Sequence, residues 1–248
     1  MTTTKVVRTS PHAALRAELE RLTPSYERLL PKHYDPARLI TGAMVAIAAN
    51  PDLLQCDPKS VGIALARVAQ WGLDVGDTAH LVPFGRQCTA IVDYKGYIRL
   101  MMQAGARKVE AHEVREGDEF EYEYGAEPRL IHRPLADRSR PITAAYAIVW
   151  LRGGVKQFEV MTADEIDAIR RAKSKQWKAG PLEGWYARKT VLRRVAKYVP
   201  KSGALEQALV TDGAAFDPET GEVLTGDVPA LASGEDAVKP GDAFEAEL

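Results

Sequence analysis

The segment AHLVPFGRQCTAIVDYKGYIRLMMQAG, residues 79–105, holds a strand pattern and a helix pattern side by side. Its first half is rich in β-branched and aromatic residues around a glycine-containing turn, which predicts strands at 79–84 and 86–92. Its second half has apolar residues at helical spacing, which predicts a helix over 94–104, and Gly105 suits the C-terminal cap of that helix. A connection this short requires the two strands to be antiparallel.

The strand pattern continues on the C-terminal side of this segment. Short runs rich in β-branched and aromatic residues alternate there with Gly, Asp and Pro, which is typical of strands and their turns. Further strands are predicted at 107–114, 119–124, 128–132, 142–151 and 155–161. The run Arg152-Gly153-Gly154 predicts a hairpin turn between the last two, because glycine readily adopts the positive φ that tight turns need.

On the N-terminal side the sequence predicts helices. One helical pattern runs over 12–30, with a break or kink at Pro24. A second helix is predicted over 35–49 and a third over 57–72. Each of these two begins with Asp-Pro, a capping carboxylate followed by a proline in the first turn.

Helices return after the strands. Thr162 and Glu165 form a capping-box pattern at the start of a helix over 162–173, and another helix is predicted over 183–198. This order of elements predicts an α+β fold with a mostly antiparallel central sheet and a packed helix. The predicted organisation is an N-terminal helical lobe at 1–75, a core at 76–210 that is continuous with it, and an acidic disordered tail at 211–248.

Charge is distributed unevenly along the chain. The tail from Thr211 carries ten acids and one base, a net charge of −9, whereas the other 210 residues carry 32 bases and 24 acids, a net charge of +8. Proteins that handle nucleic acid often have such a pattern, although a solvated surface joined to a polar tail would also produce it. The tail either competes with DNA for the basic surface or serves only to keep the protein soluble.

Several function classes receive no support from the sequence. No apolar run approaches the roughly 20 residues of a membrane-spanning helix, and no signal peptide is recognisable, so we expect a cytoplasmic protein without a membrane partner. Cys56 and Cys88 have no CxxC spacing and the histidines are scattered, so we expect buried thiols and no metal site. No phosphate-binding GxxxxGK[ST] loop is present, so neither ATP-driven chemistry nor another cofactor is predicted.

The strongest functional signal is the basic segment RRAKSKQWKAGPLEGWYARKTVLRRVAKYVPK, residues 170–201. It contains eleven Lys or Arg residues and a single acid, Glu183. A dense cationic surface binds the phosphate row of DNA, because neutralising the phosphates releases their counterions. Cations this dense repel one another without an anionic partner, although a merely solvated helix face is the alternative interpretation.

Within the helix of this segment the cations recur at every fourth position. Lys189, Arg193 and Lys197 are expected to line one face. Arg188 and Arg194 lie beside them in the sequence and belong to the same predicted DNA-binding set. The opposing apolar stripe is expected to anchor the helix to the sheet, and it consists of Trp185, Leu192, Val195 and Val199.

Two further groups of residues are predicted to contact DNA. The loop before the basic helix interleaves Trp177 with cations, as in platforms where bases stack and phosphates pair. The cations of this loop are Lys173, Lys175 and Lys178. In VDYKGYIRL, residues 92–100, Lys95 and Arg99 lie four positions apart on a helix that also carries Tyr94. Trp177 could instead be buried in the protein. The second group could instead belong to a packed helix whose two cations are merely solvated.

Five sequence blocks occur in one order between about residues 50 and 200. They are NPDLLQCDPKSVGIALARVAQWGLDVGD, HLVPFGRQCTAIVDYKGYIRLMMQAGA, VREGDEFEYEYG, HRP and GWYARKTVLRRVAKYVP. Together they resemble the RecT family of phage and prophage recombinases that anneal single-stranded DNA. Agreement across several blocks is more specific than any single block.

The resemblance implies an ATP-independent protein that coats single-stranded DNA, pairs it with a complementary strand and holds the nascent duplex. It also implies rings or helical filaments of identical subunits, and cooperation with a phage exonuclease and a host single-strand-binding protein in the bacterial cytoplasm. Carried over by motif, Lys95 and the basic positions from Lys173 to Lys197 would face the DNA backbone. The tail after Val210 does not match the longer C-terminal module with which some members recruit partners.

Two functions of other classes stay open. One is a binding module that protects single strands without annealing them. The other is a metal-dependent nuclease, which would need converging carboxylates. The acids available for such a site are Asp93, Asp118, Glu119 and Glu121.

Overall fold

A computed structural model describes residues 10–32, 34–173, 180–213, 215–216 and 223–224 of the chain. The α-helices within these residues are α1 (Pro11–Arg21), α2 (Thr23–Leu29), α3 (Pro36–Ala49), α4 (Pro58–Trp71), α5 (Tyr94–Gln103), α6 (Ala163–Lys173), α7 (Gly184–Val195) and α8 (Gly203–Gly213). The strands are β1 (Ala79–Phe84), β2 (Gln87–Val92), β3 (Lys108–Arg115), β4 (Glu119–Glu123), β5 (Arg129–Arg133), β6 (Ile142–Trp150), β7 (Lys156–Thr162), β8 (Ala215–Phe216) and β9 (Val223–Leu224). The predicted α+β class is confirmed.

The helices of the N-terminal region begin and end where the sequence predicts. The Asp35 and Asp57 side chains accept hydrogen bonds from the first-turn N–H groups of α3 and α4, and Gly72 ends α4 with a φ of 64°. The segment 12–30, predicted as a helix with a break or kink at Pro24, forms two helices, α1 and α2, with Leu22 between them. None of the described helices is long and apolar enough to cross a lipid bilayer.

The 3₁₀-helix after α3, helix α8 and strands β8 and β9 were not predicted. A 3₁₀-helix at Pro51–Gln55 follows α3, with the Asn50 side chain as its cap. Helix α8 follows the basic segment and buries Leu205 and Ala208 completely, and it ends at Gly213, past the predicted tail boundary at 210. Within the predicted tail, β8 and β9 pair with each other, and the other residues after Gly213 lie outside the described residues.

All strands pair in antiparallel fashion. Strands β1 and β2 form one hairpin, β4 and β5 another, and β3, β6 and β7 a three-stranded sheet with β6 at its centre. The turn between β6 and β7 contains Gly153 and Gly154, both with a positive φ near 80°, as the glycine run predicts. This three-stranded sheet is the platform on which the candidate site is built.

The two faces of the three-stranded sheet pack against different partners. On one face, Ala145, Val149 and Met161 join the large core that also contains α4, α5 and α7. On the other face, Tyr146, Phe158 and Val160 form a second cluster under the β4–β5 hairpin. The alternation of side chains along β6 assigns successive residues to the two clusters.

The β4–β5 hairpin is fixed by one buried carboxylate. The Asp118 side chain is fully buried and accepts hydrogen bonds from the Arg115 and Leu135 backbone N–H groups, both at 2.9 Å. Its oxygens also lie 3.2 Å from the His132 ring and 3.2 Å from the Arg140 guanidinium. Burial alone would raise the pKa of Asp118, but these hydrogen bonds and charges lower the pKa well below its ordinary value.

We predict that Asp118→Asn lowers the free energy of unfolding at neutral pH by about 3 kcal/mol, because it removes the charge of a buried carboxylate that faces Arg140 and His132 and accepts two backbone hydrogen bonds. Since the pKa of Asp118 is depressed in the folded state, its contribution is present above pH ~4 and is lost below that value. The wild type and the variant should therefore converge as the pH falls in urea unfolding experiments. Glu121→Gln, the same loss of charge at an exposed position of β4, is the control and should change little. Equal stability of Asp118→Asn and wild type at pH 7 would contradict the account.

Candidate nucleic-acid interface

Helix α7 lies across all three strands of the sheet. Ala187, Val191, Leu192 and Val195 are fully buried against the sheet and its surroundings, so the predicted apolar anchor exists. A 3₁₀-turn at Ala196–Tyr198 continues the helix. The cations of α7 are thereby attached to a helix whose other face is buried.

One end of α7 is held by a glutamate on β3. The Glu113 side chain, 15% exposed, lies 3.8 Å from the Arg188 guanidinium. A Cβ at position 184 would lie 3.3 Å from the same carboxylate, so Gly184 lets the first turn of α7 approach it closely. Burial would raise the pKa of Glu113, but its own backbone N–H, Arg188 and Arg115 lower it below the ordinary value.

Arg188 also meets a predicted site residue from another segment. Its guanidinium carbon lies 4.5 Å from the ring centroid of Tyr94, at the first turn of α5. Such cation–π contacts contribute about 0.5–1 kcal/mol at partly exposed sites. The structure thus brings Tyr94 and Arg188 together, and it gives Tyr94 the role of positioning a cation.

The other end of α7 is held by acids of β7 and α6. The Arg194 guanidinium lies 3.1 Å from Glu159, which is 11% exposed, and 3.1 Å from Glu165. Glu165 also accepts a hydrogen bond from the Thr162 backbone N–H in the predicted capping box. That hydrogen bond and Arg194 keep the pKa of Glu165 below its ordinary value. Arg194 therefore has a structural role in docking α7.

The three cations predicted to line one face of α7 differ in their surroundings. Arg193 is half-buried and donates a hydrogen bond to the Leu209 carbonyl oxygen of α8, at 3.3 Å. Lys189 is half-buried, and Lys197 is exposed at the end of the helical segment. A sequence pattern places these residues on one face, but Arg193, the middle one, bonds to the backbone of α8.

The prediction that Trp185 belongs to the core is wrong. It shares a side of α7 with the buried Leu192, but it lies at the first turn of the helix, where the side chain is 40% exposed. Its indole N–H donates to the Glu183 carboxylate at 2.5 Å, so the polar edge of the ring is satisfied at the surface.

The cations of α5 are engaged with acids of the loop before β1. Lys95 lies 2.8 Å from Asp77, with both side chains more than half exposed. Arg99 lies 2.7 Å from Asp74, which also receives a hydrogen bond from the Tyr34 hydroxyl. Arg99 therefore ties α5 to the helical lobe, whereas Lys95 is the more accessible cation.

The basic segment also contains a buried arginine. Arg170, 7% exposed, donates a hydrogen bond to the Gly180 carbonyl oxygen at 3.0 Å and lies 2.9 Å from Asp167. It fixes the point where the chain enters the turn before α7. Lys173 is the last residue of α6, and Lys175, Trp177 and Lys178 lie outside the described residues.

Sequence reasoning missed a group of arginines beside α7. Arg115 and Arg138 each lie 3.5 Å from the Glu113 carboxylate that also faces Arg188. Arg138 and Arg140 contact Asp118 as well. The sequence ADRSRP, residues 136–141, is locally basic, but its position beside α7 depends on β-strand pairing that no local pattern reveals.

Three of the four carboxylates considered for a nuclease are used elsewhere, and the fourth, Glu121, is exposed on β4. Asp93 caps α5 and faces His80. Asp118 accepts the hydrogen bonds that hold the β4–β5 hairpin, and Glu119 pairs with Arg133. Among the described residues no group of three or more His, Cys, Asp or Glu is arranged to hold a metal ion. Cys56 and Cys88 are buried free thiols, as predicted, and burial raises the pKa of Cys88 to about 12.

Comparison with known proteins gives two matches. A model of the RecT family matches residues 37–222. The protein RecT of Escherichia coli (strain K12) is 36% identical over 225 residues, which cover 84% of this chain and 83% of that protein. Both matches include the three-stranded sheet and α7, which together carry the site described above.

We predict that removing a cation that docks the helical segment lowers the free energy of unfolding, whereas removing a cation at its surface does not. Arg194→Gln should lower the free energy of unfolding by about 1 kcal/mol, because it leaves the nearly buried Glu159 without its partner. Lys197→Gln removes the same charge from an exposed position and should leave stability unchanged. Urea unfolding of both variants checks this, and equal effects would show that Arg194 does not dock the helix.

Proposed function

Because this chain belongs to the RecT family, we propose that it coats single-stranded DNA, pairs it with a complementary strand and holds the nascent duplex without consuming ATP. Membership of the family makes it a single-strand annealing protein of DNA recombination. The observation that carries the proposal is the position of α7, whose buried face is docked on the sheet while Arg188, Lys189 and Lys197 stay at least partly accessible.

The chemistry of annealing suits such a surface. Two polyanions must approach each other while their base edges remain free, so the protein should contact phosphates and read few bases. The free energy of base pairing then drives the reaction, and no catalytic residue is needed. Of the predicted site residues, Lys95, Arg188, Lys189 and Lys197 are proposed to face phosphates, while Tyr94, Arg99, Arg193 and Arg194 hold the elements that present them.

Assembly and partners form part of the same proposal. Identical subunits in a ring or helical filament would align many such surfaces along one strand. A phage exonuclease would supply single strands, and a host single-strand-binding protein would occupy them first, in the cytoplasm of the bacterial host.

We predict that the full-length protein accelerates pairing of two complementary dye-labelled oligonucleotides in the absence of ATP, and that it does so with or without magnesium. Protein-free strands and a non-complementary pair serve as controls. Tight binding that slows pairing would instead assign the protein to the protecting class. Magnesium-dependent shortening of the strands would assign it to the nucleases.

We predict that the double variant Lys189→Gln, Lys197→Gln binds single-stranded DNA more weakly and with a smaller dependence on salt. Each lost phosphate contact should reduce the slope of log K against log salt concentration by about 0.7. Arg193 is left intact in this design because it also holds α8.

The matched control for this experiment is Lys32→Gln, Lys59→Gln. It removes the same charge from two exposed lysines of the helical lobe. The slope of this control should equal that of wild type, and equal slopes for all three proteins would remove α7 from the DNA-binding surface.

A further inference from the structure

Trp185 has a large aromatic side chain that is exposed at the surface and has cationic residues next to it on the helix. Its side chain is 40% exposed at the first turn of α7. Arg188 and Lys189 follow it by three and four positions, so both lie next to it one turn along the helix. An aromatic ring flanked by cations is the combination by which proteins hold single-stranded nucleic acids, through base stacking and phosphate pairing.

The indole is held in place before any ligand arrives. Its N–H donates to Glu183 at 2.5 Å, and the Tyr186 ring meets it edge-on, at 5.6 Å between centroids and 82° between planes. The hydrogen bond also occupies the Glu183 carboxylate, the acid nearest to it in the sequence. A ring that is already oriented loses little conformational freedom when a base stacks on it.

The arginines around Glu113 provide a place for the phosphate of the same nucleotide, because Gly184, next to Trp185 in the chain, packs against that carboxylate. Three guanidinium groups, those of Arg115, Arg138 and Arg188, lie within 3.8 Å of the single Glu113 carboxylate. Arg138 also contacts Asp118, so three guanidinium groups face two carboxylates and the positive charge exceeds the negative charge. Arg138 is 42% exposed and Arg188 30% exposed, and each guanidinium has five N–H donors, more than one carboxylate can accept.

We propose that Trp185 stacks on a base of the bound single strand while Arg188 and Arg138 bind the adjoining phosphate. This inference rests on the proposed DNA binding and names a nucleotide subsite within it. The sheet makes the subsite rigid, because Glu113 on β3 fixes the arginines and Gly184 brings the first turn of α7 against the same carboxylate. An indole can stack on any of the four bases, and a protein that anneals strands of any sequence requires such a contact.

The test compares Trp185→Leu and Trp185→Phe in the full-length protein, using two oligonucleotides of equal length and charge, one of mixed sequence and one abasic. Leu removes the aromatic face, whereas Phe keeps one. Trp185→Leu should bind the mixed-sequence strand at least about fivefold more weakly than wild type, which corresponds to the loss of one stacked base. Its affinity for the abasic strand should equal that of wild type, and Trp185→Phe should resemble wild type on both strands.

Tyr122→Leu is the control, because Tyr122 is an aromatic side chain with similar exposure on β4, whose hairpin covers the opposite face of the sheet. It should bind both strands as wild type does. Wild-type affinity of Trp185→Leu for the mixed-sequence strand, or equal weakening on both strands, would overturn the stacking role while leaving DNA binding by α7 intact. Failure of the wild-type protein to bind either strand would overturn the proposed function itself, and the inference with it.

Discussion

Two glutamates on the helix-facing side of the three-stranded sheet determine where α7 lies. Glu113 on β3 meets Arg188 near the start of the helix, and Glu159 on β7 meets Arg194 near its end. The fully buried Ala187, Val191 and Leu192 make the apolar contact between the helix and the sheet. Glu159 is nearly buried, so it would be costly to leave without Arg194. Glu113 also faces Arg115 and Arg138, and its contact with Arg188 gives the helix a second fixed point on the sheet.

This arrangement explains why so many cations can share one short segment. Arg170 and Arg194 neutralise acids of the fold, and Arg193 bonds to the backbone of α8. The mutual repulsion of the segment is therefore smaller than its sequence indicates. Arg188, Lys189 and Lys197 are at least partly accessible on a helix that is already docked, so a polyanion could bind there without ordering the helix first.

The opposite face of the sheet has a separate means of support. The β4–β5 hairpin packs its aromatic side chains on Tyr146 and Phe158, and Asp118 fastens the chain segments at the base of the hairpin. Because Asp118 also contacts Arg138 and Arg140, the hairpin and the arginines near α7 depend on one buried carboxylate.

The sequence was informative where local chemistry decides the structure. Asp-Pro caps, the glycines of the β6–β7 turn and the alternation along β6 act within a few residues, and the strands and helices they predict are present. The partners of the cations lie far away in the chain, Glu113 being 75 positions before Arg188. Strand pairing brings such residues together, so sequence patterns identified Arg188 and Tyr94 separately without revealing their contact. Trp185 was misplaced because its indole N–H bonds to Glu183 at the surface, which its apolar spacing with Leu192 does not reveal.

The most direct test of the central claim is an experimental structure of the full-length protein with a pair of complementary oligonucleotides. If α7 presents the DNA-binding surface, strand phosphates should lie within about 4 Å of the Arg188 and Lys189 side chains, with α7 still docked through Glu113 and Glu159. Phosphates bound to a surface to which α7 contributes nothing would contradict it.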